Sequence, residues 1–203
     1  MTTNEDLINH LIETNAMHSQ NIIDAFLNVD RANFVLDAND YAVYADHPLP
    51  IGHEQTISQP TTVAMMLEML RPNEGQKILD IGSGSGYTTA LLAYIVGDKG
   101  SVTGLERVPY LVKYGNDNLK KYGWKNVKII QSENGLGLVG ETFDRILVSA
   151  AANEFPLKLT QQLNIGGKLV IPVKNSIFEI TKKEDGELQG VEHYGFTFVP
   201  LIF

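Results

Sequence analysis

The sequence predicts an α/β fold built on a mostly parallel, doubly wound sheet. Its apolar runs at residues 78–81, 102–105 and 143–148 contain few alternating polar residues, as expected of strands buried on both faces of a parallel sheet. A glycine-rich turn at residues 82–86 joins the first run to a stretch with helical spacing. The centre of the chain is therefore predicted to be a βαβ unit.

Residues 1–60 are predicted to add two helices and a functional loop to the front of this unit. Apolar residues at helical spacing predict helices over residues 7–12 and 22–29, with Ser19 placed to cap the second. Residues 31–60 are a long non-periodic segment rich in Pro, Gly, His and Asp. Long ordered loops in compact domains commonly carry function, and the aromatic and apolar content of this one predicts order.

The remaining elements follow from apolar spacing and from turn residues. In order, they are a helix at 61–70, a strand at 78–81, a helix at 87–96, a strand at 102–105, a helix at 109–122, strands at 126–130 and 143–148, a helix at 155–163 and a strand at 168–173. Gly166 and Gly167 are predicted to form the turn that ends the last helix. Residues 177–182 and 191–199 flank an exposed turn, which predicts a C-terminal antiparallel β-hairpin at the sheet edge.

The composition argues against several classes of function. A net charge of −8 over 203 residues disfavours nucleic acid as a partner, since phosphate binding needs clustered Lys and Arg. The chain has no cysteine, which excludes disulfides, thiolate metal sites and cysteine nucleophiles. No apolar run has membrane-spanning length, and the first residues are polar and acidic, unlike a signal peptide. We expect a cytoplasmic monomer with no membrane partner.

Gly82, Gly84 and Gly86 indicate a ligand of the nucleotide type. Without a Cβ, a glycine lets the chain turn sharply off the strand and lets a ligand lie against the backbone at the helix N-terminus. Glu106 ends the next strand about twenty residues after the last glycine, where dinucleotide-binding proteins place an acid that takes the ribose hydroxyls. This Rossmann-like pattern fits NAD and S-adenosylmethionine equally well.

Asp80 favours the second of these ligands. It lies two residues before Gly82, where its carboxylate would repel a pyrophosphate but not the ammonium and sulfonium groups of S-adenosylmethionine. Two other interpretations stay open on this evidence. Asp80 is also suited to accept hydrogen bonds from the turn amides, and the turn is also compatible with an unrelated α/β domain.

Further motifs run through most of the chain. They are Arg31 to Val35, Leu49 to Gly52, Gln55 to Pro60, Asp80 to Tyr87, Glu106-Arg107, Phe143-Asp144, Ala150 to Ala152, Gly166 to Val173 and Phe198 to Leu201. With them the chain resembles the protein-L-isoaspartate O-methyltransferases over nearly everything from Arg31 to Ile202. The Gln-Thr-Ile-Ser-Gln-Pro block and the apolar-Pro-Leu ending are more specific than the glycine turn, which alone indicates only a superfamily.

The resemblance implies a repair enzyme with the Rossmann-like fold of S-adenosylmethionine-dependent methyltransferases. Such enzymes methylate the free α-carboxylate of an isoaspartyl residue in a damaged protein or peptide and release S-adenosylhomocysteine. The ester closes to a succinimide, whose hydrolysis returns some normal aspartate. A missing catalytic triad is no objection, because an ionised carboxylate needs no general base and a sulfonium is already a good leaving group.

This reading predicts one domain over residues 1–203. We expect N-terminal helices and a substrate loop at 1–60, a cofactor-binding core at 61–173 and the hairpin at 174–203. No metal is expected, because His47 and His53 match no recognised ligand spacing and favour a polar lining of the cleft.

By the same resemblance, five residues contact the substrate. Ser58 is implied to hydrogen-bond the substrate carboxylate and to hold it towards the methyl group, while Thr56 and Ile57 shape the floor of the site and Pro200 and Leu201 complete it. A hydroxyl suits this task because it donates a hydrogen bond without the ion pair that would blunt the nucleophile. From spacing alone, Ser58 is equally well placed as the N-cap of the following helix, and this alternative stays open.

The resemblance places the cofactor on the glycine turn. The methionine end of the cofactor is implied to contact Gly82, Ser83, Gly84 and Tyr87. The ribose is implied to contact Glu106, and the adenine to contact Asn134 and Gly135. An acidic contact with the cofactor is implied for Asp80.

Two departures from the family pattern bear on affinity and specificity. The family usually has Gly-Asp-Gly after the third strand, where this chain has Glu133-Asn134-Gly135 after Ser132. The amide oxygen of Asn134 is still able to accept the adenine hydrogen bond, so cofactor binding is expected to be kept, although with weaker affinity. Glu54 stands where the family commonly has glycine, and a charged side chain there is expected to narrow or retune the peptide entrance.

Three other functions stay open. Glu54 favours a methyltransferase of the same lineage that acts on another carboxylate or on a small molecule. A non-catalytic module that binds S-adenosylmethionine would have no use for Ser58. An NAD-dependent oxidoreductase is disfavoured by Asp80 and by the lack of a Tyr-Lys or His proton donor at a strand end.

Overall fold

The structure is a computed structural model that describes residues 1–38, 42–133 and 136–201. Its strands are β1 (Leu49–Gly52), β2 (Gln55–Ile57), β3 (Lys77–Ile81), β4 (Ser101–Glu106), β5 (Val127–Gln131), β6 (Phe143–Val148), β7 (Leu163–Val173), β8 (Ser176–Lys182) and β9 (Leu188–Tyr194). Its helices are α1 (Asn4–Glu13), α2 (Gln20–Asn28), α3 (Pro60–Leu70), α4 (Tyr87–Val96), α5 (Pro109–Lys120) and α6 (Leu157–Thr160), with a 3₁₀ turn at Arg31–Phe34.

A seven-stranded sheet of order β5-β4-β3-β6-β7-β8-β9 forms the centre of the fold. The strands from β5 to β7 pair in parallel, whereas β8 and β9 pair antiparallel at one edge. The chain leaves β3 towards β4 on one side and later returns to β6 on the other, which opens a crevice at the carboxyl ends of β3 and β6. The predicted mostly parallel, doubly wound sheet with a C-terminal hairpin is confirmed.

The core lies on both faces of this sheet. Neighbouring residues of one strand enter different apolar clusters: Ile78 joins the cluster that contains α1 to α5, and Leu79 joins the cluster that contains Leu159 of α6. Leu147 and Ile146 divide in the same way on β6. Because side chains alternate across a strand, burial on both faces requires the continuous apolar runs seen in the sequence.

Two predictions around residue 160 are wrong. The helix predicted at 155–163 is only the single turn of α6, since Leu163 already belongs to β7 and pairs with Phe143. The predicted turn at Gly166 and Gly167 is a bulge inside β7, where the pairing with β6 shifts register. Gly166 has φ +75° there, and a Cβ on Gly167 would lie 2.7 Å from the Asn164 carbonyl oxygen, so a bulge uses the same residue type that a turn would.

The front of the fold is ordered by contacts with α3. Ser19 is the N-cap residue of α2, as predicted, but its side chain makes no capping hydrogen bond among the described residues. Its hydroxyl instead donates to Glu68 Oε2 (2.6 Å) and its amide to Glu68 Oε1 (2.8 Å). This acceptor on α3 competes successfully with the helix amides for Ser19.

The hairpin at the sheet edge ends earlier than predicted, at Tyr194 rather than at residue 199. This difference matters for the site, because residues 195–201 are thereby released to cross back to the sheet end.

The division of the chain at residues 60 and 173 stays a prediction. Within the described ranges, no helix combines the length and the apolar character needed to cross a membrane.

Candidate active site

A cavity of about 990 Å³, counting the open space at its mouth, lies at the carboxyl ends of β3, β4 and β6. This is the crevice where ligands bind in doubly wound folds. Its lining comes from the glycine turn, the end of β4, the β2 segment and the returning C-terminal segment: residues 55–58, 81–85, 87–88, 105–108, 132, 136–137, 149–150 and 199–201.

The glycine turn needs its glycines. Gly82, Gly84 and Gly86 have φ values of +79°, +52° and +88°, in the left-handed region that residues with a Cβ adopt at a cost. A Cβ on Gly86 would also lie 3.2 Å from the Gly115 carbonyl oxygen. The turn therefore lets β3 pass directly into α4 while its backbone borders the cavity.

The amides of this turn are already used within the protein. Gly82 and Ser83 both donate to the Leu105 carbonyl oxygen (2.8 and 3.1 Å), and Gly86 donates to the Ser83 carbonyl oxygen (2.8 Å). Gly84 donates to Glu106 Oε2 (2.9 Å). A phosphate-binding turn keeps such amides free for the ligand, so this geometry suits a nucleotide without phosphate.

Glu106 projects from the end of β4 into the cavity lining and is only 7% exposed. Its second carboxylate oxygen, Oε1, accepts from the Val108 amide (2.9 Å), so both oxygens are fixed by backbone. Each oxygen has a further lone pair, which is what two neighbouring ribose hydroxyls require. The sequence placed this acid correctly at the cavity.

Asp80 lies behind the turn, fully buried, rather than in the cavity lining. Burial raises the pKa of its carboxyl to about 7, against the opposing hydrogen bond from Thr89 and with support from the charge of Glu106. Thr89 Oγ1 donates to Oδ2 (2.6 Å), while Oδ1 has no partner among the described residues. The turn amides donate to Leu105 and Glu106 instead of Asp80.

Ser58 lines the cavity from the substrate loop. It does not cap α3: the N-cap is Gln59, and the Thr61 amide donates to Asp46 Oδ1 (2.8 Å), so a distant carboxylate takes the capping role. Within the part of the chain that the structure describes, the Ser58 hydroxyl makes no hydrogen bond. It is therefore available to a ligand.

The C-terminal segment returns to the sheet end beside Ser58. The Leu201 amide donates to the Ala151 carbonyl oxygen, and the Ala151 amide donates to the Val199 carbonyl oxygen, both at 2.8 Å. Pro200 forms a bridge with Ala151 and lines the cavity together with Leu201. Residues more than 140 positions apart in the sequence thus share one wall.

The other predicted site residues fall into two groups. Thr56, Ile57, Ser83 and Tyr87 line the cavity, and the Ser83 and Tyr87 hydroxyl oxygens are buried without partners among the described residues. Asn134 and Gly135 lie outside the described residues. Sequence reasoning missed Arg107, Val108, Ser132, Leu136 and Gly137, whose one signal is that they flank Glu106 and Asn134 in the chain.

Two residues of the β1–β2 hairpin do not line the cavity. His53 and Glu54 form its two-residue tip, with φ values of +52° and +60°. The His53 ring packs on Tyr110 (4.9 Å between centroids), and the His47 ring lies against the Pro48 carbonyl oxygen (3.0 Å). The predicted polar lining of the cleft by the two histidines is therefore wrong.

The site fits S-adenosylmethionine. Glu106 matches a ribose, Gly82, Ser83 and Gly84 border the cavity, and the consumed turn amides match the lack of phosphate.

Comparison with known proteins agrees with this geometry. The model of the family described as protein-L-isoaspartate(D-aspartate) O-methyltransferase matches residues 2–202. Protein-L-isoaspartate O-methyltransferases from Methanopyrus kandleri and Pyrococcus horikoshii are 41% and 42% identical, over 98% and 91% of this chain and 90% and 86% of theirs.

A solved structure extends the similarity to the fold. A Plasmodium falciparum chain, assigned as a protein-L-isoaspartate O-methyltransferase and crystallised with S-adenosyl-L-homocysteine, matches with a TM-score of 0.88 and 29% identity. The match covers 100% of this chain and 99% of that one. The chain belongs to the protein-L-isoaspartate(D-aspartate) O-methyltransferase family.

Proposed function

We propose that the protein transfers a methyl group from S-adenosylmethionine to the free α-carboxylate of isoaspartyl residues in damaged proteins, with Ser58 as the residue that orients this carboxylate. The observation that carries the proposal is the Ser58 hydroxyl, which has no hydrogen-bond partner among the described residues and shares one cavity with the glycine turn and Glu106. Family membership supports the reaction, and the geometry supports the assignment of roles.

The protein's task in this reaction is alignment rather than proton transfer. When bound, the cofactor supplies a methyl group on a sulfonium, and a carboxylate oxygen of the substrate takes it as the carbon–sulfur bond breaks. The substrate carboxylate is ionised at neutral pH, so no base is needed. Ser58 donates a hydrogen bond to one carboxylate oxygen and leaves the other directed at the methyl group.

The other residues that line the cavity contact either the substrate or the cofactor. Thr56, Ile57, Pro200 and Leu201 border the substrate and keep water from the reacting atoms. Gly82, Ser83, Gly84 and Tyr87 border the methionine end of the cofactor, and Glu106 accepts from the ribose hydroxyls. Contacts of Asp80, Asn134 and Gly135 with the cofactor stay predictions.

The product ester explains the biological use of the reaction. It closes to a succinimide, and hydrolysis of that ring returns part of the damaged residue to normal aspartate. The substrates are therefore isoaspartyl-containing proteins and peptides. A monomeric state, a cytoplasmic location and the absence of nucleic-acid and membrane partners stay predictions from the composition.

The test is methyl transfer from labelled S-adenosylmethionine to a short isoaspartyl peptide, beside the same peptide with ordinary aspartate. We expect label in the first peptide only. Equal labelling of both peptides, or of neither, would contradict the proposed substrate. Calorimetry with S-adenosylhomocysteine separates the alternatives: binding without transfer to either peptide would favour another substrate, or a binding module.

A further inference from the structure

Arg31 is fully buried although its side chain carries a positive charge. Its guanidinium donates three hydrogen bonds to backbone carbonyl oxygens: Nε to Val43 (3.0 Å), Nη1 to Ser58 (2.9 Å) and Nη2 to His47 (3.2 Å). Within the described ranges, these carbonyl oxygens accept no other hydrogen bond. One side chain thus ties the loop around residues 43–47 to the segment that carries Ser58.

Burying the positive charge of Arg31 costs free energy, so the contacts of its guanidinium indicate a specific role. Burial lowers the pKa of the guanidinium, while the nearby Tyr87 and Asp46 oppose this effect. No ion pair to Arg31 is found among the described residues, and an apolar side chain of similar size would fill the space without desolvating a charge. The feature that an apolar residue cannot supply is a rigid fork of donors that sets the direction of three carbonyl groups.

The same side chain also contacts the first residue of α4. The guanidinium carbon lies 5.7 Å from the centroid of the Tyr87 ring, and Tyr87 lines the cavity as the first residue of α4. Arg31 therefore lies between Ser58 and a residue that follows the glycine turn. It fixes Ser58 relative to the place where the methyl donor binds.

We propose that Arg31 is a positioning residue: by fixing the backbone carbonyl of Ser58, it directs the Ser58 hydroxyl towards the substrate carboxylate. Arg31 has no contact with the substrate and acts through Ser58 alone. The inference rests on the role proposed above for Ser58, and its test distinguishes the failure of one from the failure of the other.

The test is a double-mutant cycle of Arg31→Lys and Ser58→Ala. Single-turnover methylation of an isoaspartyl peptide is measured for the wild type, both single variants and the double variant, with calorimetry of S-adenosylhomocysteine binding. Lys keeps the charge but cannot reach three carbonyl oxygens in fixed directions. We expect Arg31→Lys to slow transfer by about 10- to 100-fold with unchanged product affinity, since small misplacements of reacting groups have effects of this size.

The decisive result is the double variant. If Arg31 acts through Ser58, Arg31→Lys causes no further loss in the Ser58→Ala background. Losses that multiply would overturn the role of Arg31 while leaving that of Ser58 intact. A Ser58→Ala variant with wild-type rates would instead overturn the proposed role of Ser58.

Arg145→Lys is the matched control. Arg145 also donates to backbone carbonyl oxygens, of Arg71 (3.2 Å) and Asp144 (2.7 Å), but near the start of β6 and away from the cavity. We expect its transfer rate to stay within about twofold of the wild type. If Arg31→Lys fails to fold, Arg31→Gln repeats the cycle, and failure of both to fold while Arg145→Lys folds would overturn the positioning role.

Discussion

The cofactor wall of the cavity, residues 82–87 with Glu106, is held by neighbouring strand ends, whereas the substrate wall, residues 55–58 and 199–201, is held from distant parts of the chain. In the first wall, backbone amides of the glycine turn donate to the last residues of β4. In the second, Arg31 binds the Ser58 carbonyl from 27 residues away, and Ala151 binds the returning C-terminal segment.

The two walls are therefore positioned in different ways. The cofactor wall follows from the βαβ unit itself, because parallel pairing of β3 and β4 brings the turn and Glu106 together. Apart from the short strand β2, the described part of the substrate wall contains no regular element, and it depends on the Arg31 side chain and on backbone hydrogen bonds with Ala151. Variants should therefore impair either cofactor binding or peptide methylation, according to the wall that they touch.

Glu106→Ala is expected to have the largest effect, on the cofactor wall. On the role proposed above for Glu106, the substitution removes two charge-assisted hydrogen bonds to the ribose, at about 2 kcal/mol each, which corresponds to a roughly 1,000-fold weaker affinity for S-adenosylhomocysteine. Calorimetry checks this value. Glu141→Ala, at an exposed residue paired with Lys77, should leave the affinity unchanged. A loss below about fivefold in Glu106→Ala would restrict Glu106 to shaping the turn.

Asp80→Asn tests the protonation of the buried carboxyl group that lies behind the glycine turn of the cofactor wall. The folded protein holds the Asp80 proton up to about pH 7, whereas an unfolded aspartate releases it near pH 4, so Asp80 opposes folding increasingly between these values. The free energy of unfolding of the wild type should therefore fall by about 3 kcal/mol relative to Asp80→Asn between pH 4 and 7. Urea unfolding across this range measures the difference, and parallel pH curves would contradict the buried neutral acid.

Asp46→Ala should have the smallest effect, confined to the substrate wall. Asp46 accepts hydrogen bonds from Gln59 and from the amide and hydroxyl of Thr61, so its loss should cost about 1–2 kcal/mol of stability and reduce peptide methylation. Product affinity should not change. Asp24→Ala is the control for stability, since among the described residues the Asp24 carboxylate is bonded only to Gln20 of α2. Weakened product binding in Asp46→Ala would show that the two walls are coupled.

The pH dependence of Asp46 has the opposite sign to that of Asp80. Burial opposes its ionisation, but the hydrogen bonds from Thr61 and Gln59 outweigh burial and lower its pKa. Its stabilising contribution is therefore complete above the unfolded pKa and is lost as the pH falls through the lower folded value. Asp46→Ala and the wild type should accordingly converge in stability in strong acid.

The sequence predicted the cofactor wall better than the substrate wall, for a physical reason. Apolar runs and the glycine spacing are local signals, and they placed β3, the turn and Glu106 correctly. The bulge at Gly166 was mistaken for a turn because both use glycine at positive φ. The contacts of Arg31 and Asp46 with the substrate loop have no local signal, since they depend on how distant segments meet.

The tip of the β1–β2 hairpin shows what Glu54 costs at a position where the family pattern has glycine. A two-residue connection whose twist matches that of the strands requires left-handed backbone at both positions, whichever residues occupy them. Glutamate adopts this conformation at a cost of about 1–2 kcal/mol, whereas glycine does so freely. Position 54 therefore carries a backbone cost that glycine would avoid, together with an exposed negative charge at the tip of the hairpin.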